Sequence, residues 1–201
     1  MERKVIPIDL GNIRDSADAR YAAKHFMESG LSFHGHVFTK HFRDGNLIHE
    51  CDQGGNTFTT EGMNYLLDII FGTTSKAGSA IWYVGIFKNN VSPAIGDTAT
   101  AKLGAAGTYG ECQDADYDSP ATNKPAYTIA AAASSSCTNA ASAASFTIAA
   151  SITVYGAFLG TGAAKTDTTG KLMCAKKFTT ARAVVDNDVL AVTYIISATT
   201  S

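Results

Sequence analysis

The sequence is poor in cysteine, proline and charge, and it has no long apolar run. Its four cysteines, Cys51, Cys112, Cys137 and Cys174, include no CxxC pair, which excludes a zinc knuckle or a redox motif and leaves reduced, small apolar fillers as the expectation. Charged residues make up 17% of the chain, and the net charge of -2 is scattered without a basic stripe. No nucleic-acid partner is expected from such a surface. The most apolar stretches, "YLLDIIF" and "ITVYGAFL", fall far below the roughly 20 residues of a spanning helix, and Asp68 interrupts the first. A soluble protein without a membrane partner is expected. The opening "MERKVIPIDLGN" is broken at Pro7 and stopped at Asp9, too short an apolar run for a signal peptide, so no export signal is expected. There is no GxSxG elbow, no HExxH and no carboxylate pair on a recognisable frame. The expectation is therefore a protein that is not an enzyme, with no catalytic residue, no cofactor-binding residue, no cofactor and no metal.

What is present reads as strand, turn and small residues. A chain of 201 residues is long enough for one full domain that buries roughly 70% of its unfolded surface. Residues 1–12 read as an extended arm, because Pro7 and Gly11 disfavour helix. Val5, Ile6, Ile8 and Leu10 give that arm an apolar side with nothing local to bury it. "DSADARYAAKHFMESG" then reads as a short helix, with Asp15 or Ser16 as N-cap, Tyr21 and Phe26 near one face and Gly30 as the stop. Val5, Ile6, Ile8, Leu10, Tyr21 and Phe26 are the candidate partner interface.

"GHVFTKHFRDGNLIHECD" carries Asp44-Gly45 between two alternating runs, the signal of a type I′ hairpin. An unbroken register pairs Arg43 with Asn46, Phe42 with Leu47, Lys40 with His49 and Phe38 with Cys51, and puts Phe38, Phe42, Leu47 and Cys51 on the core face. "TTEGMNYLLDIIFG" follows as a helix, capped by Thr59 or Thr60, with Met63, Leu66, Leu67, Ile70 and Phe71 at helical spacing and a stop at Gly72. Then come strands in "AIWYVGIFKN", "AYTIA", "ASFTIAASITVYGAFLG", "GKLMCAKKF", "RAVV" and "VLAVTYIISA", at the intervals of a β-sandwich. The alanine-rich stretch 127–160 is not a helix, because Ser134, Ser135, Ser136, Thr138 and Asn139 in sequence compete for the backbone. It reads as two strands around a loop at 134–141. The fold class is mainly β: an antiparallel β-sandwich, jelly-roll-like, with one or two short helices and an extended N-terminal arm. Residues 1–55 form the arm, helix and hairpin, and residues 56–201 the sandwich domain.

Three clusters invite a site. Five histidines lie at 25, 34, 36, 41 and 49, but the unbroken register sends His41 and His49 to opposite faces, and no Asp or Glu is fixed nearby to orient a ring. "DADYDS" offers Asp114, Asp116 and Asp118 at the first three positions of an EF-hand loop, yet Ser119 stands where glycine is needed and Pro125 where the bidentate glutamate belongs. A solvated acidic loop is the simpler reading. "GTGAAK" is too short for a phosphate cradle, and Trp82, Tyr83 and Phe87 read as strand core rather than a stacking platform.

From about residue 56 onward the order of elements resembles a family of tailed-phage virion structural proteins. "NTFTTEGMNYLLDIIFG" resembles its Leu-rich helix, and "WYVGIFKNN" and "GDTATAKLG" its tryptophan strand and Gly-Asp-Thr turn. "YDSPATNKPAYT", "CTNAASAASFTI", "YGAFL", "TGKLMCAKKF" and "DNDVLAVTY" resemble the remaining strands and turns. Where the family often has a Gly-Trp-Thr-Glu segment, this chain has "GAAGTYGECQ". The resemblance implies a non-enzymatic capsid decoration or cement protein on the virion surface, assembled in the host cytoplasm. Its implied partners are the major capsid protein and further copies of itself, as a homo-oligomeric trimer. A neck or tail adaptor, or a tail-fibre-anchoring protein, is the first alternative, and a carbohydrate-binding adsorption module the second.

Overall fold

A computed structural model describes residues 30–74, 82–165 and 167–200. The expected arm, the helix over 15–30 and the candidate interface residues Val5, Ile6, Ile8, Leu10, Tyr21 and Phe26 lie outside that range. Residues His34–Ser197 make one compact unit. Of the second unit, Met1–Phe33 with Ala198–Ser201, the described residues are the outer ends of two strands.

The protein is mainly β, with two antiparallel sheets. The first elements are β1 (Leu31–Arg43), β2 (Asn46–Gly55), β3 (Thr57–Phe58) and the helix α1 (Thr60–Phe71). After α1 come β4 (Tyr83–Phe87), a single helical turn α2 (Ala99–Lys102), β5 (Tyr117–Ser119) and β6 (Ser136–Thr138). A 3-10 turn at Ala140–Ser142 leads to β7 (Ala144–Ile148), β8 (Ile152–Gly160), β9 (Leu172–Val184) and β10 (Val189–Thr200). One sheet runs β2-β1-β10-β7-β5, with β6 also on β10; the other runs β3-β9-β8-β4. Strands β7 and β6 share one side of β10, pairing with Val189–Val192 and Ile195–Ser197 in turn.

Side chains of both sheets meet in one core, a sandwich-like arrangement. Val37, Phe146, Ile148, Leu190, Val192 and Tyr194 come from one sheet, and Val84, Ile86, Val154, Leu159, Cys174 and Phe178 from the other. A second, smaller core lies around Phe87 and Phe158 and is closed by Ala99, Leu103 and Tyr109. Strands β4 and β8 thus bury residues of both parities, which is why they read as continuous apolar runs. Gly85 pairs with Phe158 and Phe87 with Gly156. Each ring covers the glycine opposite, and a Cβ there would stand 2.1 Å from ring carbon in both cases.

Four expected features take a different form. The stretch "ASFTIAASITVYGAFLG", read as one strand, is divided into β7 and β8 at residues 149–151. The strand at "AYTIA" is a single bridge, Tyr83 to Ala126, bounded by Val84 N–H to Pro125 O and Tyr127 N–H to Trp82 O. The stretches "GKLMCAKKF" and "RAVV" are one strand, β9. Within 127–160 the chain turns at Ser134 and Ser135, both at positive φ, and forms β6 only from Ser136.

The hairpin forms at Asp44 (φ 50°) and Gly45 (φ 76°), with Phe42 opposite Leu47 and Arg43 opposite Asn46. The register then shifts, so that His41 faces His49, Lys40 faces Glu50 and Thr39 faces Cys51. A bulge of this kind moves every later partner by one residue. The inward face of β1 is Val37, Thr39 and His41, all buried. Phe38 and Phe42 are only half-buried, as is Cys51, and Leu47 is 48% exposed. Apolarity did not choose this face because its polar members find partners inside. Gln53 on β2 donates to Thr39 Oγ1 at 2.9 Å and accepts from Thr179 N–H on β9 at 2.8 Å, tying the two sheets.

Candidate functional site

Four charged clusters and one apolar face are the features with chemical potential. The first cluster is built on Asp188, at the turn from β9 to β10. Its carboxylate accepts from the Arg43 guanidinium twice, Nε and Nη2 each at 2.8 Å, from His41 Nε2 at 2.8 Å and from Val185 N–H at 2.8 Å. Arg43 above all holds the Asp188 carboxyl well below the usual carboxylate range, against the effect of burial. Arg182 on β9 donates from Nη2 to His41 Nδ1 at 3.1 Å. A ring that accepts at Nδ1 carries its proton on Nε2 and donates it to Asp188. His49 stands directly across from His41. Burial first, then Arg182 and His41, keep the His49 imidazole below its ordinary value.

The sequence expectation for these histidines is therefore corrected on two points. The bulge puts His41 and His49 opposite one another, and a carboxylate 147 residues away orients the His41 ring. His36 likewise bonds to Asp52 across the hairpin. With both His41 nitrogens engaged, the His41–Asp188 pair offers no free base to a nucleophile, and its chemistry is that of a structural clamp.

The second cluster is a buried ion pair. Lys124 Nζ donates to Glu111 Oε1 at 2.8 Å and to Ala164 O at 2.7 Å, while Glu111 Oε2 accepts Gly104 N–H at 2.8 Å. Both side chains are 1% exposed. Burial pushes the Glu111 carboxyl up, and Lys124 partly offsets it. The third cluster is the acidic loop. Asp116 takes Lys88 Nζ on both oxygens, at 2.7 and 2.8 Å, and Gln113 N–H at 2.9 Å. Asp114 pairs with the buried Lys165 at 3.0 Å, and Lys165 Nζ also lies 3.9 Å from the Tyr117 ring centroid. Two of the three aspartates are thus engaged by lysines. In the fourth, Asp97 accepts from Tyr109 OH and Ala94 N–H and pairs with Lys102. Among the described residues, no group of three or more His, Cys, Asp and Glu is placed to hold a metal ion.

The apolar face belongs to α1. Thr59 caps the helix by accepting Gly62 N–H at 3.1 Å, and Gly72 ends it. Gly62 is buried against Met173 and Leu172 of β9, and Leu66 packs on the core. Beyond that contact the helix turns apolar side chains outward: Leu67 is 47% exposed, Ile70 56% and Phe71 82%. These residues were legible as a helical stripe, but not as an exposed one. No known protein family, curated protein or solved structure matches this chain. Asp188, Arg182, Glu111 and Lys124, which organise the buried clusters, carry no local sequence signal except that Asp188 closes the "DND" turn. No helix among the described residues is long and apolar enough to cross a membrane.

Proposed function

We propose that this chain is a non-enzymatic structural protein of a tailed-phage particle. It decorates or cements the shell by binding the major capsid protein lattice from the virion surface, as a homo-oligomer, a trimer. The observation that carries a binding role is the outward apolar side of α1, where Leu67, Ile70 and Phe71 are exposed on a domain whose buried charges neutralise one another. Contiguous exposed apolar surface is characteristic of interaction sites. The ordered resemblance over residues 56–201 supplies the class of partner. Val5, Ile6, Ile8, Leu10, Tyr21 and Phe26 are the second proposed contact, reaching neighbouring capsid subunits. The reading includes no cofactor, nucleic acid or membrane.

Cementing needs no chemistry. A protein that binds the mature lattice and not its disassembled subunits stabilises each site by about 2.7 kcal/mol at a free concentration 100 times Kd. Two contacts on one chain raise the hold further through effective concentration. The test is co-sedimentation of purified full-length protein with shells that lack it, together with the melting temperature of those shells. Wild type binds and raises the melting temperature, whereas the double variant Leu67→Asp, Phe71→Asp stays folded and binds at least tenfold more weakly. Absence of any association between wild type and shells contradicts the proposal.

A further inference from the structure

The β1–β2 hairpin lies at the margin of its sheet, with β2 as the outermost strand. Its tip is fastened by one compact set of charges. Arg43 from β1 pairs with the buried carboxylate of Asp188, and Arg182 from β9 reaches it through the His41 ring. His41 sits between Asp188 and Arg182, and His49 on β2 faces His41. Asp44 in the turn is the other charged group close to Arg43. Two atoms of this set, His49 Nδ1 and Arg182 Nε, are buried with no hydrogen-bond partner.

We propose that His49 is the acid-sensitive element of a latch, built with His41, Arg43, Arg182 and Asp188, that holds the β1–β2 hairpin against β9 and the β9–β10 turn at neutral pH and releases it in mild acid. Arg43 is paired with Asp188, and His41 bridges Asp188 and Arg182, donating from Nε2 to the carboxylate and accepting at Nδ1 from the guanidinium. Protonating His49 adds another cation beside Arg182, and its surroundings already disfavour it: burial, Arg182 and His41 all act in that direction. The sign follows. A histidine held below its unfolded value binds its proton more readily in the open state, so the closed state is fully favoured above about pH 6.5 and weakens as pH falls. Each such proton changes the opening constant by at most tenfold per pH unit. Because β2 is paired on one side only, the opening is local rather than global.

The experiment is hydrogen exchange of the full chain at pH 7, 6 and 5, corrected for intrinsic exchange rates, with the β4–β8 amides as internal reference. The expected result is a several-fold rise in the opening constants of the β1 and β2 amides between pH 7 and 5, relative to β4–β8. His49→Gln flattens that response. Equal loss of protection in both regions, or an unchanged pH response in His49→Gln, overturns the latch. If His49→Gln does not fold, the NMR titration of the wild-type histidine rings decides. His49 must gain its proton below pH 6.5 and in step with hairpin exchange; titration at or above that value with the hairpin still protected also overturns it.

Discussion

Breaking the Glu111–Lys124 pair is the most informative perturbation of the fold. Both side chains are almost wholly buried, and among the described residues the pair meets Gly104 N–H, Ala164 O and the ring of Phe158 at 5.8 Å. Lys124→Met leaves the Glu111 carboxylate desolvated with one backbone donor. Removing one partner of such a pair costs about 3–5 kcal/mol. For a domain of this size that corresponds to a fall of about 6–20 °C in Tm. Glu111→Gln keeps an oxygen for Gly104 N–H but strands the lysine cation, a loss of similar size. The double variant, Glu111→Gln with Lys124→Met, leaves no buried charge at this site. It is therefore more stable than Lys124→Met alone, by about 2 kcal/mol, since neutral replacements of buried pairs are often tolerated. Urea unfolding of the wild type and the three variants measures the cycle. Additive losses in the double variant, or a loss below about 1 kcal/mol in Lys124→Met, would refute the reasoning that charge desolvation dominates here.

Two further substitutions probe the clamp and the helix contact. Asp188→Asn destabilises the protein by about 2 kcal/mol at neutral pH, through weaker bonds to His41, Arg43 and Val185 N–H. Because the folded carboxyl sits below its unfolded value, the stabilisation by Asp188 is present above about pH 3.9 and lost as pH falls. The gap between variant and wild type should narrow below that pH in chemical denaturation, and a gap independent of pH from 7 to 3 would contradict it. Gly62→Ala, which in an open helix gains about 1 kcal/mol, should instead cost about 2–3 kcal/mol by overpacking. Its Cβ would fall 2.3 Å from Met173 Cα. Thermal unfolding at or above the wild-type temperature would show that β9 yields there.

Local chemistry was readable in the sequence, and long-range pairing was not. Asp44-Gly45, the Thr59 cap and the Gly72 stop follow from turn and cap rules and form where those rules place them, and alternation marks 144–160 as strand though not its division into β7 and β8. The register of β1 with β2 was misread because the bulge between His41 and Phe42 has no marker in the run "HFRDGNLIH", and the inward face of β1 because apolarity favoured Phe38 and Phe42 over Thr39 and His41. His41 and Gln53 are buried for their partners at the β9–β10 turn and on β9, more than 120 residues on, and Thr39 for its bond from Gln53. Parity along one strand cannot report that. The exposure of Phe71 was hidden for a related reason. Helical spacing identifies a stripe, whereas the packing of Gly62 on β9 decides how much of that stripe reaches the sheet.

The copy number of this chain per purified virion, from a quantitative protein gel against the major capsid protein, tests the central proposal most directly. A decoration or cement role predicts a ratio comparable to that of the capsid protein, because only the shell lattice offers so many equivalent sites. A ratio fixed by a single ring would contradict it and assign the chain to the neck or tail.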